Sequence, residues 1–157
     1  MKQLLFFLAI GVCIVFSCKK SDPVKQISKQ RSDSVIQTQA ILDGKWRMIS
    51  VKENISGEIL TKPTSILRDV DITFSSTSLT DGTFIGNTPT NTIMKSDYSV
   101  TAIQNMTIKS LFMTEVMETP WGNEFVDHIL NSQEYNFENG SKLTIKTLTK
   151  TLTFQKL

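Results

Sequence analysis

A mainly antiparallel β fold carrying one helix, α+β in class, is predicted by three observations. Apolar residues recur at every second position through much of the chain after Leu42. Asn139-Gly140 places a tight-turn dipeptide between two alternating segments, and only one stretch, near 120–132, has helical spacing. The expected architecture is a sheet of about eight strands, enough to close partly into a barrel, with that helix packed on it.

Taken in order, Lys45–Glu53 reads as the first strand. Trp46 and Met48 point to one face while Ile49 and Val51 point to the other, a change of phase that predicts a bulge or a strand covered on both sides. Val70, Ile72 and Phe74 then alternate with Asp71 and Thr73, and Tyr98, Val100 and Ala102 alternate with Ser99 and Thr101. Breaks are expected at Asn54–Gly57, Lys62–Ser65, Ser75–Ser78 and Gly86–Asn91, where turn-forming residues collect. Asn139-Gly140 suits a type I′ turn, whose central residues both need positive φ, so strands follow at 134–138 and 141–147. A last strand at 151–156 carries Leu152 and Phe154 inward, and Thr144, Thr147, Thr149, Thr151 and Thr153 suit an exposed pleated face.

The helix has a start signal as well as a period. Thr119 fits the N-cap and Pro120 the first helical position; Trp121, Phe125, Val126, Ile129 and Leu130 then form one apolar stripe, opposite Glu124, Asp127, His128 and Asn131. A helix this short is marginal alone, so its stripe is expected to pack on the sheet or across a barrel mouth, as core rather than as a ligand site.

Ahead of Leu42 the sequence changes character. Lys2 precedes an apolar run from Leu4 to Phe16, shorter than the roughly 20 residues a membrane span needs, and Lys19-Lys20 follow directly. This is the pattern of an export signal. Its end, Val15-Phe16-Ser17-Cys18, resembles a bacterial lipobox, although Phe16 stands where a small residue is usual. The resemblance implies cleavage before Cys18, lipid on that cysteine, and attachment to a membrane through two or three acyl chains. An ordinary secretory signal cut near Ser17 is the alternative. The expected division is a signal peptide at 1–17, a lipidated N-terminus and flexible tether at 18–41, and a β-domain at 42–157. The tether, Lys19–Gln39, is rich in Ser, Gln and Lys, has no aromatic residue, and would reach about 25 Å.

Charge divides along the same boundary. Residues 19–33 hold Lys19, Lys20, Lys25, Lys29 and Arg31 against Asp22 and Asp33, whereas the chain from Ser34 onward is mildly acidic. A mildly acidic domain is a poor nucleic-acid binder, and a basic stretch beside a lipid suits headgroups.

Few residues offer chemistry. Cys13 and Cys18 are the only cysteines, so the domain has no disulfide, thiolate metal site or cysteine nucleophile, and His128 is the only histidine. Asp127 beside it would face another way on a helix. Asp69 with Asp71 and Glu115 with Glu118 could stand close together, but both pairs read as solvated faces rather than acid/base couples. Lys45-Trp46-Arg47 reads as a strand with a buried ring. No nucleophile elbow, phosphate loop, dinucleotide fingerprint or calcium loop occurs. The expected site residue is Cys18 alone, with no catalytic residue, cofactor or metal.

The order of short motifs carries a resemblance. Leu42-Asp43-Gly44-Lys45-Trp46, Ile72-Thr73-Phe74, Gly82–Asn91, Asp97-Tyr98, the helix at Glu124-Phe125 to Leu130, Lys142–Ile145 and Leu152-Thr153-Phe154 together resemble the META domain, the HslJ-like family, over residues 42–157. The chain departs from the family at two linked places: Pro89-Thr90-Asn91 replaces a Gly-Cys-Asn turn, and a residue near Thr114 replaces a second cysteine. The resemblance implies a non-catalytic, stress-related module of the bacterial envelope. An envelope protein partner is then expected, with the anchor in the outer membrane and the domain facing the periplasm. A lipocalin-like carrier of a small apolar ligand, which also opens on a Gly-x-Trp strand, is the alternative. A hydrolase with an unrecognised site is the third class.

Overall fold

The computed structural model describes residues 42–101 and 103–157; the expectations for the signal peptide, Cys18 and the tether lie outside them, as does Ala102. Within the described residues, strands β1 (Gly44–Glu53), β2 (Ile59–Thr61), β3 (Asp71–Ser76), β4 (Asp81–Asn87), β5 (Thr92–Val100), β6 (Met106–Ile108) and β7 (Phe112–Met113) come first. Helix α1 (Pro120–Ile129) and strands β8 (Ser132–Glu138), β9 (Lys142–Thr147) and β10 (Lys150–Lys156) follow.

Every pairing is antiparallel, in the order β6-β5-β4-β3-β1-β10-β9-β8, with β2 added to β1 and β7 to β5. The first strand therefore lies beside the last, Trp46 opposite Lys156 and Glu53 opposite Lys150. The two ends of the sheet nearly meet. Asn105 bridges Glu134, and the Tyr135 N–H donates to the Gln104 carbonyl at 2.9 Å, so the eight strands form a barrel closed at one point on its β6–β8 seam.

The phase change in β1 is a bulge. Pairing with β10 shifts between Met48 and Ser50 and turns Val51 to the same side as Trp46 and Met48, where it is 2% exposed, while Ile49 is left outside at 38%. Inward residues from every long strand meet in one cluster with Trp46, Phe74, Phe84, Tyr98, Tyr135 and Phe154, packed edge to face in pairs such as Phe74–Tyr98. Each such buried side chain contributes roughly 1.5–3 kcal/mol relative to exposure.

Helix α1 completes that cluster. Thr119 caps it, its Oγ1 accepting from the Gly122 N–H at 3.1 Å, and Trp121, Phe125 and Ile129 are fully buried, with Phe125 edge-on to Phe154 at 6.4 Å. Two expectations need correction. The helix ends at Ile129 rather than near 132, so Leu130 leaves the stripe and is 49% exposed. The Ser132 hydroxyl donates to the Ile129 carbonyl and turns the chain into β8. The opposite face is also less open than its polarity suggested, since Glu124 and His128 are half-buried against β10 and one another.

Asn139 and Gly140 have φ of 52° and 68°, as the turn requires, with the next strand resuming at Lys142 rather than 141. The breaks near 75–78 and 86–91 are shorter than expected: β3 runs on to Ser76 and β4 to Asn87, leaving tight turns at 77–80 and 88–91. Strand β4 and the short β2, β6 and β7 were not visible as alternating runs. Among the described residues, no helix is long and apolar enough to cross a membrane.

Candidate functional site

The residues singled out in the sequence fall in three places. His128 sits at the end of α1, its Nε2 4.0 Å from a Glu124 oxygen that Lys150 also contacts at 2.6 Å, while Asp127 is exposed and turned away. Lys150 also reaches Glu53 at 3.1 Å, so one half-buried ammonium links the helix to the end of β1. Among the described residues no group of three metal-ligating side chains comes together.

Asp69 and Asp71 do stand together, but not as a solvated pair. The Arg47 guanidinium grips Asp71 through Nε at 2.8 Å and Nη2 at 3.0 Å and lies 3.1 Å from Asp69; Lys45 is 3.2 Å from Asp71 and Lys62 2.5 Å from Asp69. Arg47 and Asp71 are register partners on β1 and β3, which sets this geometry. The Arg47 hydrogen bond, opposed by burial and helped by Lys45, holds the Asp71 carboxyl below its ordinary range, and the Arg47 guanidinium is raised in return. Asp71 is thereby held as a carboxylate between two cations, the arrangement of a structural ion-pair cluster. Trp46 between them in sequence points inward and is fully buried, as expected of a strand ring.

Glu115 and Glu118 are separated. Glu115 is exposed, whereas Glu118 closes a polar network that ties the 88–91 turn to the segment before α1. Its Oε2 accepts from the Thr88 hydroxyl and from Asn91 Nδ2 at 3.0 Å; its Oε1 accepts from the Thr119 N–H at 2.8 Å. Asn91, 3% exposed, also donates to the Val116 carbonyl at 2.8 Å. Its Oδ1 accepts from the Val116 N–H at 2.8 Å and the Thr114 hydroxyl at 3.0 Å. Gly122 leaves the room, because a Cβ there would stand 2.2 Å from the Glu118 carboxyl carbon. Burial acts to raise the Glu118 pKa, but the bonds from Asn91, Thr88 and Thr119 outweigh it and hold the carboxyl low. A glutamate directly before an N-cap threonine, and a Thr-Pro-Thr-Asn turn, were the sequence signals for this network.

Two of the grooves among the described residues open on the outside of the sheet. One, about 320 Å³, runs beside Lys45 and Asp71 between exposed Ile85 and Met94. The other, about 350 Å³, lies between the turn at Ile103-Gln104 and the outer face of β8, β9 and β10. Among the described residues the inner apolar cluster holds no ionised side chain.

No protein family and no curated protein matches this sequence. Among solved structures, the NMR structure of a protein from Burkholderia xenovorans is similar, with a TM-score of 0.55 and 15% identity over 77% of this chain and 87% of that one. At that identity the likeness concerns architecture, and the chain shares with that protein its nearly closed antiparallel barrel with one helix.

Proposed function

We propose that this protein is a lipid-anchored protein of the bacterial envelope whose META/HslJ-like domain is a non-catalytic binding module, held at the outer membrane through Cys18 and facing the periplasm. The observation that carries the reading is the position of Trp121, Phe125 and Ile129. They are fully buried and join the strand aromatics in one apolar cluster, which supports a packed interior rather than the open one a carrier needs. Contacts with a partner are then made from the outer faces and loops.

Two further features support it. The segments where the resemblance places a cysteine pair do meet, since the Thr114 hydroxyl donates to Asn91 and the Thr114 N–H donates to the Thr92 carbonyl at 3.1 Å. The carboxylates that could have suggested catalysis are tied up, Asp69 and Asp71 by Arg47, Lys45 and Lys62, and Glu118 by its donors.

The test separates binding module from lipocalin-like carrier. A soluble form from Ser34, purified from the periplasm and extracted into organic solvent, releases no stoichiometric small molecule, while crosslinking in cells traps an envelope protein. Recovery of one apolar compound per chain, with no trapped protein, would favour the carrier. A stably folded His128→Ala variant keeps any phenotype the parent has; its loss would favour an enzyme.

A further inference from the structure

We propose that the groove beside Gln104 is a binding site for a neutral oligosaccharide. Its floor is the outer face of β8, β9 and β10, with β9 paired to β8 on one side and to β10 on the other, so the groove is read chiefly by side chains. On the seam side, the edge of β8 beside the groove is already met at Glu134 by the Asn105 bridge and at Tyr135 by the Gln104 carbonyl, which disfavours an extended peptide added as a strand there.

The side chains present are suited to hydroxyl groups. Asn136 on the floor and Gln104 on the wall each offer an amide donor and acceptor, and among the described residues neither side-chain amide bonds to protein. Thr144 adds a hydroxyl held only loosely, 3.4 Å from the Asn136 carbonyl, and Thr151 adds one fixed by donation to Asn54 Oδ1 at 2.7 Å, leaving its acceptor capacity. The two charges in the groove, Glu134 and Lys146, face each other at 3.4 Å and cancel, which leaves nothing to select an anion or a cation. Ile103, 71% exposed, gives one apolar wall, as the C–H face of a sugar ring requires.

The wall is also held at a cost. Gln104 has φ of 63°, a left-handed conformation that a residue with a Cβ rarely adopts and that is strained relative to glycine. Its carbonyl accepts from the Tyr135 N–H and its N–H donates to the Thr101 carbonyl at 3.2 Å, so the turn is pinned to β8 with the amide beside the floor. The volume, about 350 Å³, is that of a small-ligand site.

This rests on the domain working from its outer surface, and its test is independent of any trapped protein. The full mature protein, isotope-labelled in detergent, is titrated with chitotetraose, cellotetraose and maltotetraose, and with polyglutamate and oligolysine as charged probes. At least one neutral sugar shifts the Gln104 and Asn136 side-chain amide resonances saturably. Gln104→Gly, which keeps the positive φ and removes only the amide, and Asn136→Ala each weaken that binding about tenfold at unchanged melting temperature. No shift at these amides with any sugar, a shift only with a charged probe, or full binding by the folded Gln104→Gly variant would overturn the proposal. Loss of sugar binding alongside an intact crosslinked partner would leave the binding-module reading standing.

Discussion

The Asn91 side chain donates to Glu118 at 3.0 Å across 27 positions of sequence, and through it the β4–β5 turn is fastened to the start of the helix. Glu118→Gln replaces an acceptor oxygen with a donor facing other donors, and should cost about 1–3 kcal/mol in denaturant unfolding. The sign with pH follows from the lowered carboxyl. A group depressed in the folded state stabilises it above the unfolded pKa, and that contribution is lost as pH falls through the folded value. The parent and Glu118→Gln should therefore differ at neutral pH and converge in acid; a gap that stays constant down to the acid limb counts against the network.

Phe125→Ala should cost about 3–5 kcal/mol, since it empties a fully buried site against Phe154, while Val126→Ala, only half-buried one position on, should cost far less. Urea unfolding with an unchanged slope measures both. Equal effects would mean that the helix does not bury the face described.

Gly140→Val places a β-branched residue at φ 68° and should cost about 1–3 kcal/mol, several degrees in Tm. A Cβ there meets no atom within 4 Å, so the loss is one of backbone conformation, and Gly140→Asn should recover most of it. A melting curve unmoved by valine is the contrary result.

How far the sequence could be read depended on whether a feature is local. The β1 bulge, the Thr119-Pro120 helix start and the Asn139-Gly140 turn are each written within a few consecutive residues, and each stands where it was expected. Strands β2, β6 and β7 are too short for alternation to register, and β5 is interrupted by a register shift between Ile93 and Lys95 against β7. Burial of polar residues was harder still. Asp71 looked solvated because Arg47 and Lys45 are its neighbours only across strands, and Glu118 looked like a partner for Glu115 because Thr88 and Asn91 arrive from another turn. The groove at Gln104 draws on four separate segments and has no sequence signature.

Cys18→Ala should abolish incorporation of labelled fatty acid and leave an unprocessed precursor, as Ser17-Cys18 after the apolar run implies. A variant that is still labelled and migrates at the mature size would show that the lipobox assignment is wrong. Protease treatment of whole cells should leave the domain intact; its removal would place the domain on the outer surface.

The pairing of β1 with β10 has a consequence for synthesis. Trp46 waits for Lys156, and Met48 for Phe154, so the central strand has one open side until residues 150–156 have been made. Contacts this distant in sequence make folding slow and late. An incomplete chain cannot close its own sheet, and it stays threadable for as long as it is being made, which suits a polypeptide that we propose must pass through a membrane before it folds.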